Sequence, residues 1–117
     1  MTYTYLASPY SHPEASVCER RYLATMRCVR WLVERGDWTF SPLLHCHEMA
    51  HRFHLPTDHI YWSSFNRAML LPSTRLLILT LDGWKDSKGI ADETIIAHET
   101  GKPINFIAPT TFAITEE

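Results

Sequence analysis

The sequence predicts an α/β fold, a three-layer sandwich around a four- to five-stranded, mostly parallel sheet. Three observations lead there. Apolar runs of strand length alternate with segments of helical period along the chain, the pattern of strand–helix–strand units. The block Leu76-Leu77-Ile78-Leu79 is apolar at every position, as a strand buried in the middle of the sheet requires. Finally, 117 residues with 45% hydrophobic content suffice for one compact core, so residues 1–117 are read as a single domain.

Residues 2–7 read as the first strand, and Ser8-Pro9-Tyr10-Ser11-His12-Pro13 breaks it, since proline removes a ladder donor. Over 14–34, Val17, Tyr22, Leu23, Met26, Val29 and Leu32 recur at the spacing of a long amphipathic helix, which Gly36 ends. Trp38-Thr39-Phe40 is a second short strand, stopped by Ser41-Pro42. A His-rich stretch runs to His54, followed by a helix over 58–71 that Pro72-Ser73 closes. Residues 75–81 read as the central strand, 87–100 as a helix with Gly101 just past its end, and 103–108 as the last strand.

Composition narrows the partners. A net charge of −2 with scattered Lys and Arg offers no basic stripe, so a nucleic-acid polymer is not expected, whereas a small anion is compatible. Cys18, Cys28 and Cys46 are odd in number and lack Cys-x-x-Cys spacing. They argue against a disulfide framework, fit a reducing cytosol, and read as small core residues. No apolar run is long enough to span a bilayer, so the expectation is a soluble, cytoplasmic protein without a membrane partner.

In open parallel sheets, ligands bind beyond the carboxyl ends of the strands, near the switch in strand order. That rule selects the loops after Ala7, Phe40 and Leu81. Ser8 and Ser11 offer hydroxyls beside one helix start, and Ser87 with Gly89 forms a second such arrangement. Taken singly, each reads first as an ordinary turn with a helix cap, since neither a dinucleotide fingerprint nor a P-loop is present.

Glu93 is the sharper signal. Helical phase sets it on one face with Gly89, Ile90, Ile96 and Ala97, the sheet-facing side, where an ionised carboxylate is costly to desolvate without partners. Asp82 ends the preceding strand at the same edge of the sheet, and two carboxylates in a cleft can divide nucleophilic and acid/base work. The bland alternatives are a solvent-facing Glu near a helix start, a strand-ending Asp82-Gly83 turn, and Trp84 as a cover over the core.

These residues resemble the nucleoside 2-deoxyribosyltransferase-like superfamily, which includes nucleoside deoxyribosyltransferases and nucleoside 5′-monophosphate N-glycosidases. The resemblance covers most of the chain. It rests on Tyr5-Leu6-Ala7-Ser8-Pro9-Tyr10, on Phe40-Ser41-Pro42 with His45, and on Ser87-x-Gly89-x-x-x-Glu93-x-x-x-Ala97 with Gly101-Lys102-Pro103. The Asp82-Gly83-Trp84 loop is most similar to that of small phage and bacterial members of uncharacterised function.

The resemblance implies a small Rossmann-like or flavodoxin-like fold and a role for each matching position. Glu93 would attack the anomeric carbon and form a glycosyl-enzyme ester, Tyr5 would orient that carboxylate, and Asp82 would position substrate and help protonate the departing base. Ser8, Pro9, Tyr10, Ser11, His45, Trp84, Ser87 and Gly89 would contact substrate, with Trp84 or Tyr10 stacking on the base. Transferases acting on free nucleosides carry Asp six residues before the nucleophile, where this chain has Ser87, so a 5′-monophosphate is the implied substrate. No cofactor or metal is implied. The loop from Asp82 to Glu93 is shorter than in the better-known transferases, which leaves the place of Asp82 open.

Three other readings stand beside this one. A deoxyribosyltransferase would use the same Glu93 with a base as acceptor. A non-catalytic nucleotide-binding module would keep the pocket without chemistry. His47-Glu48-Met49-Ala50-His51 fits the His-Glu-x-x-His zinc pattern, with His45 and His54 as added ligands, although Pro56 cuts the helix soon afterwards and the same His residues read as polar helix surface. Ala91 and Ile95 lie opposite Glu93 on their helix, which predicts packing against a second subunit as a homodimer or larger homo-oligomer. Pro109-Thr110-Thr111-Phe112 is the candidate segment for such a contact.

Overall fold

The computed structural model describes residues 2–117. Its elements, in chain order, are β1 (Thr4–Ala7), α1 (Ala15–Glu34), β2 (Thr39–Phe40), α2 (Pro42–Phe53), α3 (His59–Leu70), β3 (Arg75–Leu79), a 3-10 turn (Trp84–Asp86), α4 (Lys88–Glu99), β4 (Ile104–Ile107) and β5 (Ile114–Glu116). One five-stranded sheet runs in the order β2-β1-β3-β4-β5, parallel throughout except for β5. Helices cover both faces, giving the Rossmann-like three-layer fold, with the strand order of the flavodoxin type.

Alternation along the strands explains the two cores. Tyr5, Ala7, Leu76 and Ile78 point to one face and meet Leu70 of α3 and Ile90 and Ala97 of α4. Leu6, Leu77 and Leu79 point to the other and meet Cys28 and Leu32 of α1. A strand buried on both faces has no polar positions to give up, and for that reason β3 reads as an unbroken apolar run. Truncating Leu77, which is fully buried, to Ala would cost about 2–5 kcal/mol through lost contacts and a cavity.

Local chemistry sets the helix starts. Ser41, Asp58 and Ser87 each accept a hydrogen bond from a first-turn amide of α2, α3 and α4 respectively, and Pro42 occupies the first position of α2, where its missing N–H costs nothing. At the amino ends of the strands, Arg75 pairs with Asp37 at 2.8 Å and donates to Thr4 Oγ1 and Asn105 Oδ1, joining β1, β3, β4 and the turn before β2. Lys102 works at the same end, its ammonium held by the carbonyls of Leu71 and Ser73.

Four expectations need correction. The strand over 103–108 is not the last: Phe112 turns the chain back at φ 57 and packs on Trp31 at 5.2 Å, and residues 114–116 add an antiparallel edge strand that short-range pattern did not reveal. The His-rich segment is not uniformly polar surface, because His47 is buried. Among the cysteines only Cys28 is buried, while Cys18 and Cys46 are half-buried. The strand read over 75–81 stops at Leu79, and Leu81 already bends back with its amide bonded to the Leu79 carbonyl. No helix among the described residues is long and apolar enough to cross a membrane.

Candidate functional site

From β1 the chain first winds to β2, then returns across to β3, so the carboxyl ends of β1 and β3 flank the reversal in strand order. A cleft of about 700 Å³ lies there. Its walls are the loop after β1, the starts of α2, α3 and α4, and Glu93. A smaller cavity of about 340 Å³ between α3 and α4 shares His59, Asn66, Gly89 and Glu93 with it, so Glu93 borders both spaces.

Glu93 faces inward because it falls in phase with Ile90 and Ala97 on α4, and it is 8% exposed. Tyr5 reaches it from β1. The phenol is fully buried, and its hydroxyl donates to Glu93 Oε2. Burial raises the Glu93 carboxyl to about 7; the Tyr5 hydrogen bond pulls it down and the adjacent Asp92 charge pushes it further up. Burial, followed by the Glu93 charge and the hydrogen bond, holds the Tyr5 phenol far above its ordinary 10, so it stays a donor. The pair therefore consists of a permanent donor and a carboxyl that can switch protonation near neutral pH.

The remaining predicted residues divide into two groups. Ser8, Pro9, Tyr10, Ser11, Ser87 and Gly89 all line the cleft beside Glu93. Ser8 Oγ lies 3.1 Å from the buried Thr25 Oγ1, which ties the loop to α1. Ser87 caps α4 through Ile90 N at 3.2 Å, and because its oxygen accepts there, its proton remains available to a ligand. Lys88 follows, and the first turn of α4 carries no acidic residue. The α4 dipole and Lys88 favour an anion at this helix start, which opens to the cleft with Asp86 beside it.

Asp82, Trp84 and His45 are not brought to the cleft walls. Asp82 is exposed on the loop, and its backbone carbonyl rather than its carboxylate is engaged, by Arg21. Trp84 packs half-buried on Phe106 at 5.4 Å with Lys85 over its ring. His45 is exposed and stacks on Phe65 at 4.9 Å. In each case a neighbour distant in sequence claims the residue, something strand and helix period do not report.

Sequence reading passed over Arg21, His59 and Asn66, which also line the cleft. The Arg21 guanidinium donates to the carbonyls of Tyr10, Ser11 and Asp82, clamping the β1–α1 loop to the loop after β3. Gly83 permits this: its φ is +88, and a Cβ there would sit 2.7 Å from Arg21 Nη2. The Asp58 cap was a usable signal for His59, since it starts a helix at that position. Asn66 had none.

The His47-Glu48-x-x-His51 segment lies on α2, one turn apart as its spacing requires. Its side chains are otherwise engaged, however: His47 Nδ1 is 2.6 Å from the Tyr10 hydroxyl, His47 Nε2 faces Glu19, and Glu48 is held by Arg52 at 2.6 Å. Among the described residues no three His, Cys, Asp or Glu side chains gather as a metal ion requires.

No curated protein matches the chain. One family model does, over residues 2–108, all four parallel strands and every residue of the cleft, and the chain thus belongs to the domain of unknown function family DUF1937.

Proposed function

We propose that the protein is an N-glycosidase that cleaves the base–sugar bond of a nucleoside 5′-monophosphate through Glu93. The observation that carries this reading is the buried Tyr5–Glu93 hydrogen bond at the mouth of the parallel sheet, in a cleft large enough for a nucleotide. A carboxylate buried against the sheet has a solvation cost and no structural partner beyond a tyrosine, which suits a nucleophile better than a structural group.

In this reading an ionised Glu93 oxygen attacks the anomeric carbon and the bond to the base breaks. Water then releases the sugar phosphate from the glycosyl ester. Tyr5 holds one carboxylate oxygen and leaves the other free to attack. Ser87, Gly89 and the start of α4 take the phosphate, whose charge the helix dipole and Lys88 favour.

The experiment is incubation with a panel of nucleosides and their 5′-monophosphates, with base release followed by chromatography, for the parent chain and Glu93→Gln. Release from monophosphates that Glu93→Gln abolishes supports the reading. Base exchange on adding a second base would make the protein a transferase with the same nucleophile. Binding without release would make it a nucleotide-binding module, and release that a chelator stops would restore the zinc alternative.

A further inference from the structure

Departure of a nucleobase needs a proton as well as a nucleophile, and the exposed Asp82 side chain is not on the cleft wall. Tyr10 is. Its hydroxyl, 2.6 Å from His47 Nδ1, leads into a buried group on the far side of the loop. His47 is 9% exposed, stacked on Tyr22 at 3.9 Å and edge-on to Tyr10, and its second nitrogen lies 3.6 Å from Glu19 Oε2. Packing alone does not call for an imidazole between two tyrosines, where an apolar ring would avoid burying polar atoms. As arranged, the ring connects a solvent-reaching carboxylate on α1 to a phenol on the cleft.

We propose that Tyr10 is the acid that protonates the departing base, with His47 behind it as the positioning residue that resupplies the proton. This rests on the N-glycosidase reading of Glu93. With His47 as imidazolium, Nδ1–H donates to the Tyr10 oxygen, which frees the Tyr10 proton to point into the cleft. As the Glu93 oxygen bonds to the anomeric carbon, the carbon–nitrogen bond breaks and its electron pair stays on the base. The base takes the Tyr10 proton, Tyr10 takes the Nδ1 proton, and His47 becomes neutral. In the second half water attacks the same carbon, the ester electron pair returns to Glu93, and the water proton passes through Tyr10 back to His47.

Burial, with Cys18, Cys46, Glu19 and Tyr22 as neighbours, raises the Tyr10 phenol to about 12, so it holds its proton until the base draws it away. The rival donor on the cleft is His59, 3.2 Å from Asp92 on α4.

The test compares two substrates that differ in their need for an acid: a nucleoside 5′-monophosphate, and a 2-deoxyribose 5-phosphate carrying 4-nitrophenolate, which leaves without protonation. For Tyr10→Phe we expect about a 10²-fold loss of kcat on the monophosphate, with KM and the rate on the nitrophenyl substrate nearly unchanged. His47→Gln should give a smaller loss with the same selectivity, and it carries the test if Tyr10→Phe misfolds. Equal losses on both substrates, or none on either, would overturn the role of Tyr10. So would the selective loss appearing in His59→Gln instead, and in each of these cases cleavage abolished by Glu93→Gln would leave the nucleophile standing. If the parent chain cleaves neither substrate, both proposals fall together.

Discussion

The Tyr5 hydroxyl donates to Glu93 Oε2 across 88 residues of sequence, joining the second residue of an inner strand to the middle of α4. One phenol and one carboxyl meet in an otherwise apolar wall that includes Ala7, Ile78, Ile90 and Ala97, and Tyr5 also packs on Phe40 at 5.9 Å.

Tyr5→Phe should preserve packing and remove the donor. The hydrogen bond lowers the Glu93 carboxyl against the rise due to burial, so without it the carboxyl titrates higher still. In the parent chain base release should increase with pH through about 7, as Glu93 ionises. For Tyr5→Phe that midpoint should move upward, and the rate at pH 7 should fall as the ionised fraction of Glu93 shrinks, by roughly fivefold for a midpoint about one pH unit higher. A pH–rate profile for both proteins decides it; an unmoved midpoint would show that Tyr5 does not tune the nucleophile.

Glu93→Gln should be inactive yet more stable at high pH. The folded carboxyl sits near 7 against 4.5 for the free group, so between those values the folded state holds more protons than the unfolded one. Stability is then greatest below about 4.5 and falls as pH rises through 7, by about 3 kcal/mol in all. Gln carries no such proton. In urea unfolding, the gain of the variant over the parent should therefore be larger at pH 8 than at pH 5, and parallel curves at the two pH values would contradict the assignment.

Ser87→Asp should change substrate choice with little effect on the fold. Aspartate caps a helix as well as serine does, so α4 keeps its first turn. A carboxylate at that point repels a phosphate dianion, and activity on 5′-monophosphates should fall about 10²-fold while free nucleosides react no worse. If both substrates lose equally in steady-state assays, the phosphate does not bind at the α4 start.

Arg75→Met should weaken the fold and spare the chemistry. Arg75 joins Asp37, Thr4 and Asn105 at the amino ends of the strands, opposite the cleft. The pair is partly shielded, so a loss of about 1–3 kcal/mol is expected, between exposed and buried ion pairs. A double-mutant cycle with Asp37→Asn isolates the pair, and unchanged KM and kcat would confirm that the network is remote from the site.

The sequence alone determined the layers. Alternation of strand and helix period, the unbroken apolar run of β3, and the Ser and Asp caps follow from spacing that is local, and so did the inward phase of Glu93, because i, i+3 and i+4 relations are fixed by helix geometry. The tertiary structure decided who meets whom. Tyr5 and Glu93, Tyr10 and His47, and Arg21 and the loop after β3 are each distant in sequence and are brought together by strand order alone. Trp84 and His45 show the same effect in reverse: their chemistry suits a ligand, yet Phe106 and Phe65, which no local pattern places beside them, occupy their rings. Periodicity says which face a side chain takes, whereas only the closing of the sheet says what lies on the other side of that face.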